Sequence, residues 1–233
     1  MLSVIIPVYN EEKIIEENTK RLIQYLNSLK KPNEILIFSN GSSDSTDALG
    51  KKIEDEFPDR VRFFSIPDRG VGLAFKKALA EATYENIVSI DMDLSTDLGF
   101  IEEALKLLGE YDIVIGSKQV GEQQRAFFRV LISSGFILLV RLLLGLKYSD
   151  YSIGSKAYKK SVIEKWVENI DYGTSYVIEL VYYAKREGRK ITEIPVFCDD
   201  KRKSRFNLGH EIIYRFRNLL RLWFTARIKG SIF

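Results

Sequence analysis

Ser89-Ile-Asp-Met-Asp-Leu-Ser95 is the stretch around which the rest of the chain can be arranged. Ile87-Val88 precede it, and this β-branched, apolar run bounded by polar residues predicts a short buried strand. Alternate residues of a strand point to the same side, so we expect Asp91 and Asp93 to lie together at its carboxyl end. Two carboxylates in that position can share one hard cation such as Mg²⁺, whose other ligands are water and substrate phosphates.

Taken alone, an Asp-x-Asp pair is weak evidence for a metal, because such pairs also cap helices and turns. In the metal interpretation, the Ser95 hydroxyl can bind the cation or hold a metal-bound water. The rest of the chain must decide between the two interpretations.

Composition limits the class of protein. The chain has 233 residues, 45% of them apolar and 29% charged, with a net charge of +3, which suits one large α/β domain and does not suggest a nucleic-acid binder. Cys198 is the only cysteine, which excludes an internal disulfide and fits a reducing compartment, and the single His210 excludes a multi-histidine metal site. No signal peptide and no apolar run of about 18 residues is visible, so we expect a peripheral protein on the cytoplasmic side of a membrane.

Apolar strands alternate with helical patterns through the first half of the chain. The strands are expected at residues 3–8, 34–38, 61–66, 87–90 and 112–116. Short loops between them predict a doubly wound, mostly parallel sheet of the α/β class, which binds ligands at the carboxyl ends of its strands. Polar residues converge on those ends at 9–11, 39–44, 91–95 and Lys118, which indicates one site.

The second half is less regular. Arg125 to Leu146 predicts a long apolar helix or helix pair, and 150–158 a turn followed by a short strand. Helices are expected near 160–167 and 175–187, then a strand at 191–197 whose Pro195 indicates an edge or a bulge. A basic loop and a final helix from about Gly209 close the chain.

In this order the motifs resemble the GT-A-fold glycosyltransferases of family 2, and within them the dolichyl-phosphate mannose synthase-like branch. The resemblance runs from Ser3 to about Arg205, and its carriers are Val4–Glu12, Asn40–Thr46, Arg69–Gly72, Asp91–Asp93, Gly116–Lys118, Asp150 with Gly154 and Lys156-Ala157, and Glu193–Val196. It implies a GT-A domain over residues 1–205, with an apolar interface helix at 125–146 and a basic acceptor loop at 198–208. A basic amphipathic helix at 206–233 follows.

The resemblance implies a metal-dependent, inverting transfer of mannose or glucose from GDP-mannose or UDP-glucose to dolichyl or polyprenyl phosphate. Mg²⁺ or Mn²⁺ is expected on Asp91, Asp93 and Ser95, and the catalytic residues are expected to be Asp91, Asp93, Arg129 and Arg202. The implied nucleotide-sugar contacts are Pro7, Tyr9, Asn10, Glu11, Ser39, Asn40, Asp44, Asp91, Met92, Asp93 and Lys118. A phosphate acceptor needs cations, and the candidates are Arg125, Arg129, Arg202, Lys203, Ser204 and Arg205.

Several positions depart from the family's pattern. Ser39-Asn40 stands where relatives have Asp-Asp, Ser95 where many have Gln, and Lys118 where Arg is common. Ile153 and Ser155 flank Gly154 where Ser and Phe are frequent. These departures predict a divergent donor or acceptor preference, or a degenerate site.

The C-terminal segment combines apolar and basic residues at helical spacing. One face carries Ile212, Ile213, Phe216, Leu219, Leu220, Trp223 and Phe224, and the other Arg215, Arg217, Asn218, Arg221 and Arg227. Such a helix is typical of a membrane surface. It can instead pack on the sheet or on a second subunit, and a separate membrane-anchoring subunit is a further possible partner.

Three other functions remain open. A saccharide or other hydroxyl acceptor requires a carboxylate base, for which Asp150 or Glu179 are the candidates. A nucleotide-sugar-binding scaffold subunit without activity is compatible with Ser39-Asn40. A nucleotidyltransferase is the third.

Overall fold

One mixed sheet organises the computed structural model, which describes residues 1–118, 127–198 and 208–229. The strands are β1 (Leu2–Val8), β2 (Asn33–Asn40), β3 (Val61–Ile66), β4 (Asn86–Ser89), β5 (Ile113–Ser117), β6 (Lys156–Lys159) and β7 (Ile191–Pro195). The helices are α1 (Ile15–Ser28), α2 (Thr46–Glu56), α3 (Val71–Glu81), α4 (Gly99–Leu107), α5 (Phe127–Leu144), α6 (Lys160–Ile163), α7 (Tyr176–Arg186) and α8 (Leu208–Lys229). A short 3-10 turn at Val167–Asn169 separates α6 from α7.

The strand order is β3-β2-β1-β4-β6-β5-β7. All neighbouring pairs run parallel except those of β6, which is antiparallel to both β4 and β5. This confirms the predicted doubly wound, mostly parallel α/β sheet. Pro195 lies on the edge strand β7, as predicted, where its missing N–H removes no ladder hydrogen bond.

Both faces of the sheet are covered. In β1, Ile5 belongs to one buried apolar cluster, whereas Val4 and Ile6 belong to the cluster on the opposite face. A strand buried on both sides is apolar at nearly every position, which explains why β1 could be read from the sequence. Parallel strands covered on both faces also bring their carboxyl ends to one edge, which is where the polar loops emerge.

The C-terminal helix α8 packs against the domain through one face only. Leu219 and Leu222 are buried there, whereas Ile213, Phe224 and Ile228 are exposed. The prediction that all apolar residues share one face and the basic ones the other is therefore wrong for Leu219. The docked face carries buried apolar residues, and the solvent face mixes exposed apolar side chains with arginines, among them Arg217, Arg221 and Arg227.

Helix α5 is a single helix, and contacts between α5 and α8 place the two side by side. Leu138 and Leu142 of α5 are exposed, and Val140 is buried. Within the described ranges, none of the helices combines the length and apolar character needed to cross a membrane.

Candidate active site

Asp91 and Asp93 lie in a tight turn rather than in a strand. β4 ends at Ser89, and the turn closes with a 3.1 Å hydrogen bond from Leu94 N to the Asp91 carbonyl oxygen. Leu94 has φ +48°, and the Asp93 carboxylate accepts a 3.1 Å bond from Ser95 N. The expectation that strand alternation aligns the two carboxylates is therefore wrong, because the Asp93 side chain binds the backbone two residues on and favours a turn.

Asp91 is held by the loop before β6. Gly154 N donates to Asp91 Oδ2 at 2.8 Å, and a Cβ atom at Gly154 would lie 2.6 Å from Oδ1. Solvent reaches the Asp91 carboxylate, but protein surrounds it closely: burial raises its pKa, the Asp93 charge adds to this, and the Gly154 bond opposes it. A carboxylate destabilised in this way gains from a cation beside it.

A fully buried lysine lies beneath this turn. Lys156 donates through Nζ to the carbonyl oxygens of Ile153 at 2.9 Å and Gly116 at 3.1 Å. Burial lowers the pKa of Lys156 to about 8, and the charges of Asp150 and Asp91 oppose that shift. Lys156 thus ties the end of β5 to the loop that supplies the Gly154 N–H.

Asp150 and Lys118 complete this buried charge cluster. Asp150 Oδ1 accepts bonds from the N–H and hydroxyl of Ser152, both at 2.8 Å, and Oδ2 lies 3.7 Å from Lys118 Nζ. Burial opposes ionisation of Asp150, but the charges of Lys118 and Lys156 outweigh it and lower its pKa. Lys118, predicted as a nucleotide-sugar contact, has a side chain only 5% exposed and also donates to Ser152 Oγ at 3.0 Å.

The loops after β1 and β2 are bound to each other. Asn10, with φ +54°, accepts a 2.7 Å bond from Ser43 N. Glu11 N donates to Thr46 Oγ1 at 2.8 Å, and Asp44 Oδ1 accepts from Thr46 N at 3.0 Å. Asn10 and Asp44 therefore shape the loops that face the carboxyl ends of the strands.

Ser39 and Asn40, the last two residues of β2, are buried beside these loops. Asn40 Nδ2 donates to the Val8 carbonyl at 2.7 Å, while its Oδ1 accepts from Gly70 N at 3.2 Å. Ser39 Oγ donates to Ser42 Oγ at 2.8 Å. The predicted contacts Ser39 and Asn40 thus hold the loops together.

Two further predicted contacts differ in accessibility. Met92 is 3% exposed and packs in an apolar cluster, and its carbonyl accepts a 3.0 Å bond from Asn18 Nδ2. Tyr9 follows the half-buried Pro7 of β1, and the Arg69 guanidinium lies 4.1 Å from the Tyr9 ring centroid. The Tyr9–Arg69 pair forms a flat, cationic surface beside the loops.

The candidate bases for a hydroxyl acceptor, Asp150 and Glu179, both accept hydrogen bonds from other parts of the protein. Asp150 is hydrogen-bonded as described, and Glu179 accepts bonds from Asp171 N and, at 3.4 Å, from Arg221. Burial raises the pKa of Glu179, and the Asp171 charge adds to the shift. Glu179 serves to hold α7 and α8 together.

The predicted acceptor residues Arg125, Arg202, Lys203, Ser204 and Arg205 lie outside the described residues, and Arg129 lies in α5 with its side chain outside the description as well. Sequence reasoning did not assign roles to Lys156, Gly154 and Arg69 in the site. A lysine is normally exposed to solvent. The apolar residues near Lys156 in the sequence were the only indication that this lysine is buried.

The Asp turn fits a cation that is not fully enclosed by protein. In the part of the chain that the structure describes, no group of three or more His, Cys, Asp or Glu side chains converges. Two carboxylates at an open turn match an ion such as Mg²⁺ or Mn²⁺ that takes its remaining ligands from a bound diphosphate and water.

Comparison with known proteins finds a matching family and related sequences. Residues 3–167 match the model of the family described as Glycosyl transferase family 2. The chain is 28% identical over 239 residues to the glycosyltransferase AglD of Haloferax volcanii, covering 99% of this chain and 38% of that protein. It is 27% identical to human dolichyl-phosphate beta-glucosyltransferase, covering 84% of this chain and 66% of the relative. The chain thus spans less than two thirds of these relatives.

A solved structure shares the fold. Glucosyl-3-phosphoglycerate synthase from Mycobacterium tuberculosis, in complex with Mn²⁺, UDP-glucose and phosphoglyceric acid, superposes with a TM-score of 0.68. The two chains are 20% identical, and the match covers 96% of this chain and 79% of that one.

Proposed function

Because the chain belongs to glycosyl transferase family 2, we propose that it is a metal-dependent, inverting glycosyltransferase that moves a hexose from a nucleotide sugar to a polyprenyl phosphate. The observation that carries this proposal is the Asp91–Asp93 turn at the carboxyl ends of parallel strands, with the Asp91 pKa raised. The dolichyl-phosphate acceptor in the human relative's name supports the acceptor class.

Asp91 and Asp93, with Ser95, would hold Mg²⁺ or Mn²⁺ beside the donor diphosphate. When bound, the ion would neutralise the negative charge that develops on the leaving nucleoside diphosphate. The chain's own part is orientation, since the Gly154 N–H binds Asp91 Oδ2 and would hold this carboxylate in place for the ion.

The donor's nucleoside would lie on the loops after β1 and β2. Tyr9 and Arg69 offer a stacking surface for the base, and Glu11 offers acceptors for sugar hydroxyls. Pro7, Asn10, Ser39, Asn40, Asp44, Met92 and Lys118 remain proposed contributors to this subsite. Ser39, Asn40 and Met92 are buried, so their contribution is the shape of the loops rather than a side-chain contact.

A phosphate acceptor suits the site because it needs no protein base. Its oxygen is already anionic, whereas a hydroxyl acceptor must lose a proton to a carboxylate. Asp150 is a poor base, because it is hydrogen-bonded and its pKa is lowered. We propose Arg125, Arg129, Arg202, Lys203, Ser204 and Arg205 as the groups that position the acceptor phosphate.

The proposed acceptor is a lipid, and α8 offers a surface for it. Its exposed face carries Ile213, Phe216, Phe224 and Ile228 between arginines, as expected for a helix at a membrane surface. We therefore propose a GT-A domain at 1–205 that includes the 125–146 helix and the 198–208 loop. The 206–233 helix would rest on the cytoplasmic leaflet, alone or with an anchoring subunit.

The test is a donor screen with a short polyprenyl phosphate. The protein is incubated with UDP-glucose or GDP-mannose and Mn²⁺ or Mg²⁺, and glycolipid is detected by mass. We expect glycolipid with one donor, its loss with EDTA, and its loss in Asp93→Asn. Asp97→Asn is the matched control, because Asp97 is a nearby exposed acid that accepts a bond from Gly99 N and lies outside the pair.

Two results would contradict this proposal. Consumption of donor without glycolipid would assign a different acceptor, and the hydroxyl class would then be tested. No consumption and no binding of either donor would remove the transferase activity and favour a scaffold role.

A further inference from the structure

One carboxylate attaches the C-terminal helix to the segment before α7. Asp171, 7% exposed, accepts bonds through Oδ1 from Tyr214 Oη at 2.6 Å and from Asn218 Nδ2 at 3.2 Å. Its Oδ2 accepts from the N–H groups of Gly173 and Ser175, both at 3.0 Å. Burial and the Asp171 charge raise the pKa of Tyr214 to about 12, so its hydroxyl stays a donor at neutral pH.

The backbone of this same segment lies directly against the loop that opens α3. Leu73 N donates to the Tyr172 carbonyl oxygen at 3.0 Å. A Cβ atom at Gly70 would lie 2.5 Å from the Tyr172 oxygen, and one at Gly72 would lie 2.1 Å from the Asp171 oxygen. The two glycines therefore allow a backbone-to-backbone contact that no side chain separates.

The Gly70 loop in turn contacts the proposed donor subsite. Gly70 N donates to Asn40 Oδ1 at 3.2 Å, and Asn40 Nδ2 donates to the Val8 carbonyl at 2.7 Å. Arg69, the residue before Gly70, lies over the Tyr9 ring. A continuous series of short contacts thus runs from α8 through Asp171 to the surface where the nucleotide is expected.

We propose that Asp171 is a positioning residue for the donor nucleotide, which it serves by fixing the 68–72 loop through residues 171–173 while α8 holds its carboxylate. This inference rests on the proposed function for the identity of the ligand. It gives α8 a second role beside its exposed apolar face, because the helix that would meet the lipid also braces the donor loop.

The experiment removes the two α8 donors without touching the donor loops. The double variant Tyr214→Phe/Asn218→Leu keeps the shape of α8 and leaves Asp171 Oδ1 without either bond. Arg217→Ala is the matched control, since Arg217 lies on the exposed face of α8. The 233-residue proteins are compared by calorimetric titration with UDP or GDP in Mn²⁺, and by hydrogen exchange of the Gly70 and Leu73 amides.

We expect the double variant to weaken nucleoside-diphosphate binding about fivefold, while the control stays near wild type. The KM for donor should rise with kcat and the acceptor KM unchanged, and the Gly70 and Leu73 amides should exchange faster. Tyr214→Phe alone, which removes one of the two bonds, should give an intermediate loss and serves if the double variant does not fold.

Each other outcome counts against the inference. Unchanged exchange at Gly70 and Leu73 shows that Asp171 does not brace the loop, and faster exchange with unchanged affinity shows that the loop does not position the donor. An equal loss in Arg217→Ala shows that the effect is not specific to the Asp171 contacts. If wild-type protein binds no nucleotide while the variants still exchange faster, the proposed function fails and the donor role fails with it, although the bracing contact stands.

Discussion

Lys156→Met tests the buried charge cluster beneath the Asp turn. Methionine keeps most of the apolar stem but removes the ammonium that bonds the carbonyls of Gly116 and Ile153. It also removes one of the two cations that offset Asp150. The variant leaves these two buried carbonyl oxygens without the lysine donor, and hydrogen bonds of this kind contribute about 1–3 kcal/mol each, so we expect the free energy of unfolding at pH 7 to fall by about 3 kcal/mol.

The pH dependence gives this prediction its specificity. The Lys156 pKa lies at about 8 in the folded protein, against 10.5 for a lysine fully exposed to solvent. Between these values the unfolded chain binds the proton more tightly, so the contribution of Lys156 to stability rises with pH through that window. The two pKa values give a rise of about 2 kcal/mol between pH 7 and 9.5 in wild type. The methionine variant lacks this rise, so the difference between the two proteins should widen by that amount.

Urea denaturation of both proteins at several pH values from 7 to 9.5 measures this difference. The range stops there because burial also raises the pKa of Tyr158 and Tyr176, and unfolding therefore becomes easier once tyrosines ionise in the unfolded chain. Lys159→Met is the control, because Lys159 is partly exposed and pairs with Asp112 at 3.2 Å. It should lose about 1 kcal/mol or less and keep the wild-type slope. Parallel pH profiles for wild type and Lys156→Met would refute the assignment of a depressed pKa.

Three further changes probe the site and the sheet. Gly154→Ala places a methyl group 2.6 Å from Asp91 Oδ1, so Mn²⁺ affinity measured with UDP should fall about tenfold, and unchanged affinity would count against this contact. Asn40→Asp sets a carboxylate against the Val8 carbonyl, which should destabilise by about 2 kcal/mol at pH 7. The loss should shrink at pH 4, because contact with an acceptor raises the folded pKa of the new acid, and an equal loss at both pH values would contradict it. Glu34→Gln weakens bonds from a serine hydroxyl and a backbone N–H at the amino ends of the strands, and should cost about 2 kcal/mol of unfolding free energy with donor affinity unchanged.

The sheet could be predicted because its strands carry an unambiguous signal. Val61–Ile66 was predicted with the observed bounds, and β1, β2 and β5 within two residues. Strands buried on both faces form apolar runs that end at turn residues, so their ends are marked in the sequence. The antiparallel direction of β6 could not be predicted, because the sequence of a four-residue strand does not indicate which strands lie beside it.

The sequence predicted where the site lies but not which turn and which contacts form it. The pattern located Asp91 and Asp93, yet it placed them on a strand, because periodicity cannot show where a ladder of hydrogen bonds ends. Lys156 and Gly154 act through contacts between residues far apart in the chain, which no local pattern records. The faces of α8 were misassigned for a related reason: Leu219 and Ile213 have similar hydrophobicity, and contacts with the rest of the domain determine which of them is buried.

The contacts of Asn40 give a structural reason for the amide that this chain carries in place of the acid of the family's pattern. Its amide donates to the Val8 carbonyl and accepts from Gly70 N, and these opposite partners fix the orientation of the amide group. An ionised aspartate can accept from Gly70 but cannot donate to Val8, so the amide is required by the loops that this chain has. A site that has lost its function is expected to lose contacts at such a position. Here both polar atoms of the Asn40 side chain are hydrogen-bonded, and one of these bonds satisfies the N–H of Gly70. These hydrogen bonds give Asn40 a role in supporting the loops, and we therefore expect base selectivity to rest on Tyr9, Arg69 and the loop backbone.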